Sequence, residues 1–202
     1  MSTDGEKTAE KLNLQKNTED KIKVENDEET DKANPNKGLY DIEVTDINKR
    51  AFKLAELKGK VIIIVNVASK CGLAEKSYQE LASLLAKYHS KGLRILLFPC
   101  RQFLNQEYEQ MEKVRSFANK FSENFMLMDE IDVKGPSIHP LFKFLTENLK
   151  GFLTNNIKWN FTYFLIGRNG ELVRRYGPTE RLPDADKDLV RCIGDVEDEV
   201  EN

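Results

Sequence analysis

The feature that most constrains the fold is a continuous run of apolar, mostly β-branched residues, KVIIIVNV, at Lys60–Val67. Such a run is typical of a strand buried on both faces, because it lacks the alternating polar residues of a half-exposed strand. A second run of this kind follows at Leu93–Phe98. Between the two runs the apolar residues recur at helical spacing: Tyr78, Leu81, Leu84, Leu85 and Tyr88. Two buried strands joined by a helix predict a parallel β-α-β unit.

Further elements alternate along the rest of the chain. The segments Leu39–Val44 and Arg50–Leu54 predict an N-terminal hairpin, and Thr162–Ile166 with Leu172–Tyr176 predicts a second one that adds antiparallel edge strands. The other predicted elements are a helix, a strand and two more helices: Met111–Phe121, Phe125–Met128, His139–Leu149 and Leu182–Ile193. This order predicts an α/β protein of thioredoxin-like fold, with a central mixed sheet flanked by helices and an N-terminal β-hairpin.

Both ends of the chain differ in composition from its centre. Residues 1–36 are polar and charged with almost no large apolar side chains, so we expect a disordered tail. Residues 195–202 read as a short acidic tail, which leaves one folded domain at 37–194. A net charge of −3 gives no reason to expect a nucleic-acid partner. With neither a signal-peptide pattern nor an apolar run near the roughly 20 residues that span a bilayer, a cytoplasmic location is expected.

The chain has three cysteines, Cys71, Cys100 and Cys192, a sparse and odd number that disfavours a disulfide-stapled secreted domain. Cys71 follows the central predicted strand and precedes the helix, at the edge of the sheet where α/β proteins form their sites. The free N–H groups of a helix N-terminus favour the nucleophilic thiolate. Because residue 74 is alanine, no CxxC pair exists, and a single cysteine suits peroxide reduction better than disulfide exchange. A small buried structural residue is the alternative reading of Cys71.

Four segments resemble those of the glutathione peroxidase family, in the family's order and at similar spacing. They are NVASKCG at Asn66–Gly72, FPCRQFLNQE at Phe98–Glu107, IKWNFTYFL at Ile157–Leu165 and NGELVRRYGPTE at Asn169–Glu180. The resemblance extends over Leu39–Ile193. The last two segments and their flanks are most similar to the phospholipid hydroperoxide type.

The resemblance implies a catalytic set of four residues, which carries over onto Cys71, Gln106, Trp159 and Asn160. Gln106 and the indole N–H of Trp159 would donate hydrogen bonds to the thiolate, and Asn160 would do the same or position the peroxide. The Cys71 thiolate would reduce H2O2, organic or phospholipid hydroperoxides, become a sulfenic acid and be regenerated by glutathione in a ping-pong cycle. The resemblance implies no bound cofactor and no metal, with glutathione as the reducing co-substrate.

The chain departs from the family at several positions. Many cysteine-based members carry a resolving cysteine where this chain has Ala118, so an external thiol, glutathione first, is expected to complete the cycle. Thioredoxin as reductant would require Cys100 or Cys192 to pair with Cys71, although Cys100 is expected to be structural and Cys192 a packing residue. A redox relay that passes oxidation to a partner protein thiol is the alternative of a different class.

Two departures lie close to the expected catalytic set. Leu73-Ala74 replaces the pair that usually follows the cysteine, which removes a threonine able to cap the helix. Leu104 replaces a glycine, and this change is expected to alter the loop that carries Gln106.

Four cations lie near Trp159 in the sequence: Lys150, Lys158, Arg174 and Arg175. By resemblance, such cations receive glutathione carboxylates or lipid headgroup phosphates, and Lys158 and Arg175 are the candidates for substrate binding. The short Phe142–Ile157 segment lacks the extra loop with which larger family members form tetramers. The resemblance therefore implies a monomer with an open site and transient contact with membrane surfaces.

Overall fold

The computed structural model describes residues 38–151, 154–180 and 182–194. Within these ranges the seven strands are β1 (Glu43–Thr45), β2 (Ala51–Lys53), β3 (Val61–Val67), β4 (Leu93–Pro99), β5 (Met126–Leu127), β6 (Tyr163–Ile166) and β7 (Leu172–Tyr176). The same ranges contain four α-helices, α1 (Ala74–Tyr88), α2 (Met111–Ala118), α3 (Pro140–Asn148) and α4 (Lys187–Gly194). The predictions for residues 1–36 and 195–202 concern parts of the chain outside the described ranges.

The sheet is mixed and five-stranded, in the order β5-β4-β3-β6-β7, while β1 and β2 form a separate antiparallel pair. Strand β3 runs parallel to β4 and antiparallel to β6, and every one of its residues is buried. Alternate residues of β3 point to opposite faces, as the pleat of a strand requires. Val61, Ile63 and Val65 pack with α1, α2 and α4. Ile62 and Ile64, on the other face, pack with α3 and with residues 39–57, which precede β3. The predicted thioredoxin-like arrangement of a mixed sheet between helices is confirmed.

The prediction that the second hairpin supplies edge strands is wrong for β6. All four residues of β6 are buried, and this strand lies between β3 and β7. The physical reason is that its side chains contribute to the cores on both faces of the sheet, so an edge position would expose one set of them to water. Only β7, which is partly exposed along most of its length, lies at that edge.

Several element boundaries also differ from the predicted ones. The last helix begins at Lys187 and not at Leu182, because the Asp186 carboxylate accepts hydrogen bonds of 3.0 Å from the N–H groups of both Asp188 and Leu189. This is an N-cap, which fixes where a helix starts. Helix α2 ends at Ala118, three residues before the predicted end, and the predicted N-terminal strand begins as a 3-10 turn at Leu39–Asp41. No helix in the described ranges is long and apolar enough to cross a membrane.

Candidate active site

Cys71 lies in a tight turn between β3 and α1, at the carboxyl end of the central strand. Its N–H donates to the Ala68 carbonyl at 3.1 Å, and its own carbonyl accepts from the Ala74 N–H, the first of α1, at 2.9 Å. Its residual exposure is 7%. At the N-cap position Leu73 has no side-chain acceptor, so the first turn of the helix receives no side-chain cap. The predicted position of Cys71, between strand end and helix start, is thus the one observed.

Gln106 is carried by a loop that the chain can form only with unusual backbone angles. Leu104 and Asn105 both adopt left-handed conformations, with φ of 53° and 51°. Asparagine tolerates this region, but a leucine there is strained, and its side chain is 77% exposed. Leucine at this position therefore forms the turn at an energetic cost. The main chain of this loop meets the Cys71 turn directly, because the Lys70 N–H donates to the Gln106 carbonyl at 2.8 Å.

Trp159 and Asn160 lie on the segment that leads into β6. The half-buried Trp159 ring packs against Phe103, with ring centroids 5.6 Å apart. Asn160 is completely buried, and its side-chain N–H donates to the Gln106 side-chain oxygen at 3.1 Å. Because this bond occupies that oxygen, the amide donor of Gln106 remains available for a bound group. Among the described residues no group donates to Asn160 Oδ1, which is buried together with the rest of the side chain.

Asn66, the one polar side chain within β3, attaches this segment to the central strand. Its amide donates to the Trp159 carbonyl at 3.2 Å and accepts from the Thr162 N–H at 3.0 Å. Its main-chain carbonyl also accepts a hydrogen bond from the N–H of Phe161 at 2.7 Å. Phe161 has a left-handed backbone conformation, with φ of +62°. The segments that carry Cys71, Gln106 and Asn160 are thus joined by hydrogen bonds at one edge of the sheet. The arrangement offers a cysteine sulfur and amide donors, which are groups suited to thiol chemistry on a small polar substrate.

Comparison with known proteins agrees with this geometry. The family model for glutathione peroxidase matches residues 39–146. Glutathione peroxidase 1 of Caenorhabditis elegans is 45% identical over 158 residues, which cover 78% of this chain and 97% of the relative. The chain belongs to the glutathione peroxidase family. It is accordingly a hydroperoxide-reducing enzyme.

Other similarities support both the family and the fold. A probable phospholipid hydroperoxide glutathione peroxidase of Encephalitozoon cuniculi is 47% identical over 152 residues, covering 74% of this chain and 86% of the relative. The crystal structure of T. cruzi GPX1 matches with a TM-score of 0.66 and 35% identity, covering 78% of this chain and 97% of that one. A thiol:disulfide interchange protein of Chlorobium tepidum, only 17% identical, shares the fold with a TM-score of 0.56 over 76% of this chain and 93% of its own.

Two buried polar residues of the site were missed by the sequence reasoning. Asn66 interrupts an otherwise apolar strand, and a buried amide must find hydrogen-bond partners, so its position in KVIIIVNV was a usable signal. Glu107 directly follows Gln106 and is completely buried. Burial raises the pKa of its carboxyl group, while the nearby Ser69 hydroxyl and hydrogen bonds from backbone N–H groups oppose the rise. No pattern in the sequence distinguishes Glu107 from an exposed loop glutamate.

The four candidate cations differ in what the structure gives them to do. The Arg175 guanidinium donates to the carbonyls of Asn155 and Asn156, at 2.7 and 2.9 Å, and lies over the Phe164 ring. Partial burial lowers its pKa. Arg174 pairs with Asp188 at 3.4 Å and lies over the ring of Tyr176. Lys150 and Lys158 have exposed side chains. Arg175 therefore supports the loop that precedes Trp159, and its role in substrate binding stays a prediction.

The three cysteines, all within the described ranges, form no disulfide. Cys71 and Cys192 belong to the core on one face of the sheet, and the completely buried Cys100 belongs to the core on the other face. Burial raises the pKa of the Cys100 thiol from an ordinary 9.0 to about 11. A thiol that burial keeps neutral is poorly suited to attack an oxidised Cys71. By the resemblance, Ala118 occupies the position of the resolving cysteine that many cysteine-based family members carry. It is a buried residue of α2.

Proposed function

We propose that this enzyme reduces hydroperoxides, including phospholipid hydroperoxides, with Cys71 as the nucleophile and glutathione as the reductant. The observation that carries the proposal is the placement of the Cys71 turn against the Gln106 loop, with Asn160 bonded to Gln106. The similarity to the probable phospholipid hydroperoxide glutathione peroxidase of Encephalitozoon cuniculi supports the phospholipid substrate class. The same proposal assigns the four-residue catalytic set to Cys71, Gln106, Trp159 and Asn160.

In the first half-reaction the Cys71 thiolate attacks the terminal oxygen of the hydroperoxide. An S–O bond forms, the O–O bond breaks, and the alkoxide leaves as the alcohol after it takes up a proton. The cysteine is oxidised to a sulfenic acid. The Gln106 amide donor and the Trp159 indole N–H stabilise the charge on sulfur and on the departing oxygen, and Asn160 holds the Gln106 amide in place.

Two thiols complete the cycle. The first glutathione thiol condenses with the sulfenic acid, which forms a mixed disulfide and releases water. The second glutathione thiolate attacks the glutathione sulfur, so that glutathione disulfide leaves and the Cys71 thiolate is restored. The balance is one hydroperoxide and two glutathione molecules converted into alcohol, water and glutathione disulfide. Cys100 is completely buried in the core on the opposite face of the sheet from that of Cys71, and residue 118 is alanine. Both features support an external thiol over an internal resolving cysteine.

The exposed Lys150 and Lys158, which precede Trp159 in the sequence, supply positive charge for glutathione carboxylates or lipid phosphates. We include in the proposal a monomeric enzyme that acts in the cytoplasm and meets lipid hydroperoxides by transient contact with a membrane surface. A fall in the rate with liposomal substrate, but not with H2O2, on Lys158→Gln would support this role for the charge. An equal effect on both substrates would contradict it.

The test is steady-state consumption of phosphatidylcholine hydroperoxide by the full chain, with glutathione and with thioredoxin in parallel. Turnover with glutathione that is lost in Cys71→Ser, but kept in a Cys100→Ala, Cys192→Ala double variant, is the expected result. Turnover with thioredoxin alone, lost in the double variant, would overturn the assignment of the reductant. Stoichiometric oxidation of Cys71 without turnover by either reductant would replace the peroxidase by a relay to a partner thiol.

A further inference from the structure

Glu107 is a completely buried carboxyl group that joins the Cys71 turn to the Gln106 loop. One of its oxygens, Oε1, accepts hydrogen bonds from the Ser69 N–H at 3.0 Å and from the Tyr108 N–H at 2.8 Å. Ser69 precedes Cys71 by two residues, and Glu107 directly follows Gln106. A single side chain therefore fixes the main chain on both sides of the site.

A second contact acts in parallel with the first. The Lys70 N–H donates to the Gln106 carbonyl at 2.8 Å, and the Lys70 ammonium lies 5.3 Å from the centroid of the Tyr108 ring. The bond to Glu107 depends on a side chain, whereas the bond to the Gln106 carbonyl does not. Truncation of Glu107 therefore removes the first of these bonds between the Cys71 turn and the Gln106 loop, while the main-chain bond remains.

The other oxygen of Glu107, Oε2, belongs to a set of three buried polar atoms, together with the hydroxyl oxygens of Ser69 and Tyr78. Among the described residues, Glu107 Oε2, the Ser69 hydroxyl and the Tyr78 hydroxyl complete no hydrogen bond. They are nevertheless close enough to interact. The Ser69 hydroxyl lowers the pKa of the Glu107 carboxyl group and of the Tyr78 hydroxyl. Burial raises the pKa of Tyr78, and the Glu107 charge adds to this rise. A buried carboxylate with only one oxygen satisfied is costly, and an apolar side chain of similar size would fold at lower cost. The bonds that Oε1 accepts from the Ser69 and Tyr108 N–H groups are a reason for a carboxyl group to be present here despite this cost.

We propose that Glu107 is a positioning residue, which holds the Cys71 sulfur in register with the Gln106 amide through the reach of its side chain and not through its charge. This proposal rests on the nucleophilic role assigned to Cys71 above. Glutamine at 107 keeps both the reach and the accepting oxygen, and its amide donor can satisfy Ser69 or Tyr78. Aspartate keeps the charge but is shorter by one methylene group, and alanine leaves the buried N–H groups of Ser69 and Tyr108 without an acceptor.

The experiment compares Glu107→Gln, Glu107→Asp and Glu107→Ala with the unchanged chain by stopped-flow mixing with H2O2. Active sites are counted by thiol titration, and each half-reaction is expressed as a rate constant per active site. A purely structural role would lower the number of active sites and leave the rate constant per site unaltered. The matched control is Glu109→Gln, which changes an exposed glutamate of the same loop that pairs with Arg101.

We expect the oxidative rate constant per site to fall about 10- to 100-fold in the aspartate and alanine variants, as for a misplaced reacting group. The glutamine variant is expected to recover most of the rate, and the control to retain it. An aspartate variant as fast as or faster than the glutamine variant would overturn the proposal, because charge and not reach would then matter. Equal rates in all variants would overturn it too. If Cys71 of the unchanged chain does not react with H2O2, the proposed function itself fails, a result distinct from either of these.

Discussion

The side-chain amide of Asn160 donates a 3.1 Å hydrogen bond to the side-chain oxygen of Gln106, across 54 positions of sequence. This bond sets the orientation of the Gln106 amide, because an oxygen engaged by Asn160 leaves the nitrogen as the free end. The Gln106 N–H groups are therefore held in place before substrate binds, and such prior placement is what the proposed role of Gln106 as a donor requires.

Asn160→Asp should disturb this orientation while it preserves the size of the side chain. An aspartate oxygen would face the Gln106 oxygen, and the Gln106 amide would rotate to bring its N–H groups toward the carboxylate. The free donor would be lost, so we expect the rate constant of Cys71 oxidation by H2O2 to fall about 10²-fold, the effect of one misoriented donor. Single-turnover stopped-flow kinetics measure it. An unchanged rate would show that the amide orientation does not contribute.

Arg175→Lys separates a structural role from binding of a substrate carboxylate. Lysine keeps the positive charge but cannot donate to the Asn155 and Asn156 carbonyls with the two-pronged geometry of a guanidinium. We expect the free energy of unfolding to fall by about 1–2 kcal/mol, as for loss of a hydrogen bond to a charged group. Denaturant unfolding and the KM for glutathione check this. Unchanged stability in the lysine variant, with a raised KM only in Arg175→Ala, would support the role in substrate binding.

Leu104→Gly should relieve backbone strain in the Gln106 loop. Leucine at φ +53° costs about 1 kcal/mol, against about 0.4–1 kcal/mol for the greater freedom of glycine in the unfolded chain. The leucine side chain is exposed, so little burial is lost. We expect the free energy of unfolding to stay the same or to rise by up to about 0.6 kcal/mol.

The control for this substitution is Lys113→Gly, at an exposed position of α2, which should cost about 1 kcal/mol. Both variants are compared by urea unfolding under the same conditions. A loss of stability in Leu104→Gly as large as that in the control would contradict the strain at residue 104.

Cys100 should make the protein less stable in alkaline solution. Its pKa is about 11 in the folded protein against an ordinary 9.0, so in the window between these values the unfolded chain releases the thiol proton and the folded protein keeps it. Unfolding is then favoured as pH rises, and about 2–3 kcal/mol of stability, intact below pH 9, is lost by about pH 11.

The variant Cys100→Ala lacks this titration, so the measured quantity is the difference in free energy of unfolding between the two proteins as a function of pH. That difference should change in favour of the alanine variant by about 2–3 kcal/mol across the window. Turnover with glutathione at neutral pH should persist in this variant. A difference that is independent of pH would mean that the Cys100 thiol is not held neutral by burial.

The sequence predicted the features that depend on local pattern. The run at Lys60–Val67 predicted the buried strand, because continuous β-branched residues leave no polar face, and Cys71 was placed correctly because it directly follows this strand. Features that depend on pairing across the chain were not predictable in this way. The internal position of β6 follows from its pairing with β3, and the role of Arg175 follows from the carbonyls of a loop about 20 positions away.

The start of α4 shows the same limit on a smaller scale. Apolar residues recur from Leu182 onward, but the helix begins only where the Asp186 carboxylate turns back to the N–H groups that follow it. Glu107 is the clearest case within the site. Its burial depends on contact between the Ser69 main chain and a loop 38 positions away, which no local pattern in the sequence encodes.

The central claim, that Cys71 is the oxidised and regenerated residue, is tested most directly by mass spectrometry of the intact chain with peptide mapping. One equivalent of hydroperoxide is added first, then one of glutathione, then an excess. We expect one oxygen on Cys71, then one glutathione at the same residue, then the free thiol with one glutathione disulfide per hydroperoxide consumed, and no such sequence in Cys71→Ser. Oxidation that maps to Cys100 or Cys192, or an unmodified Cys71 while hydroperoxide is consumed, would contradict it.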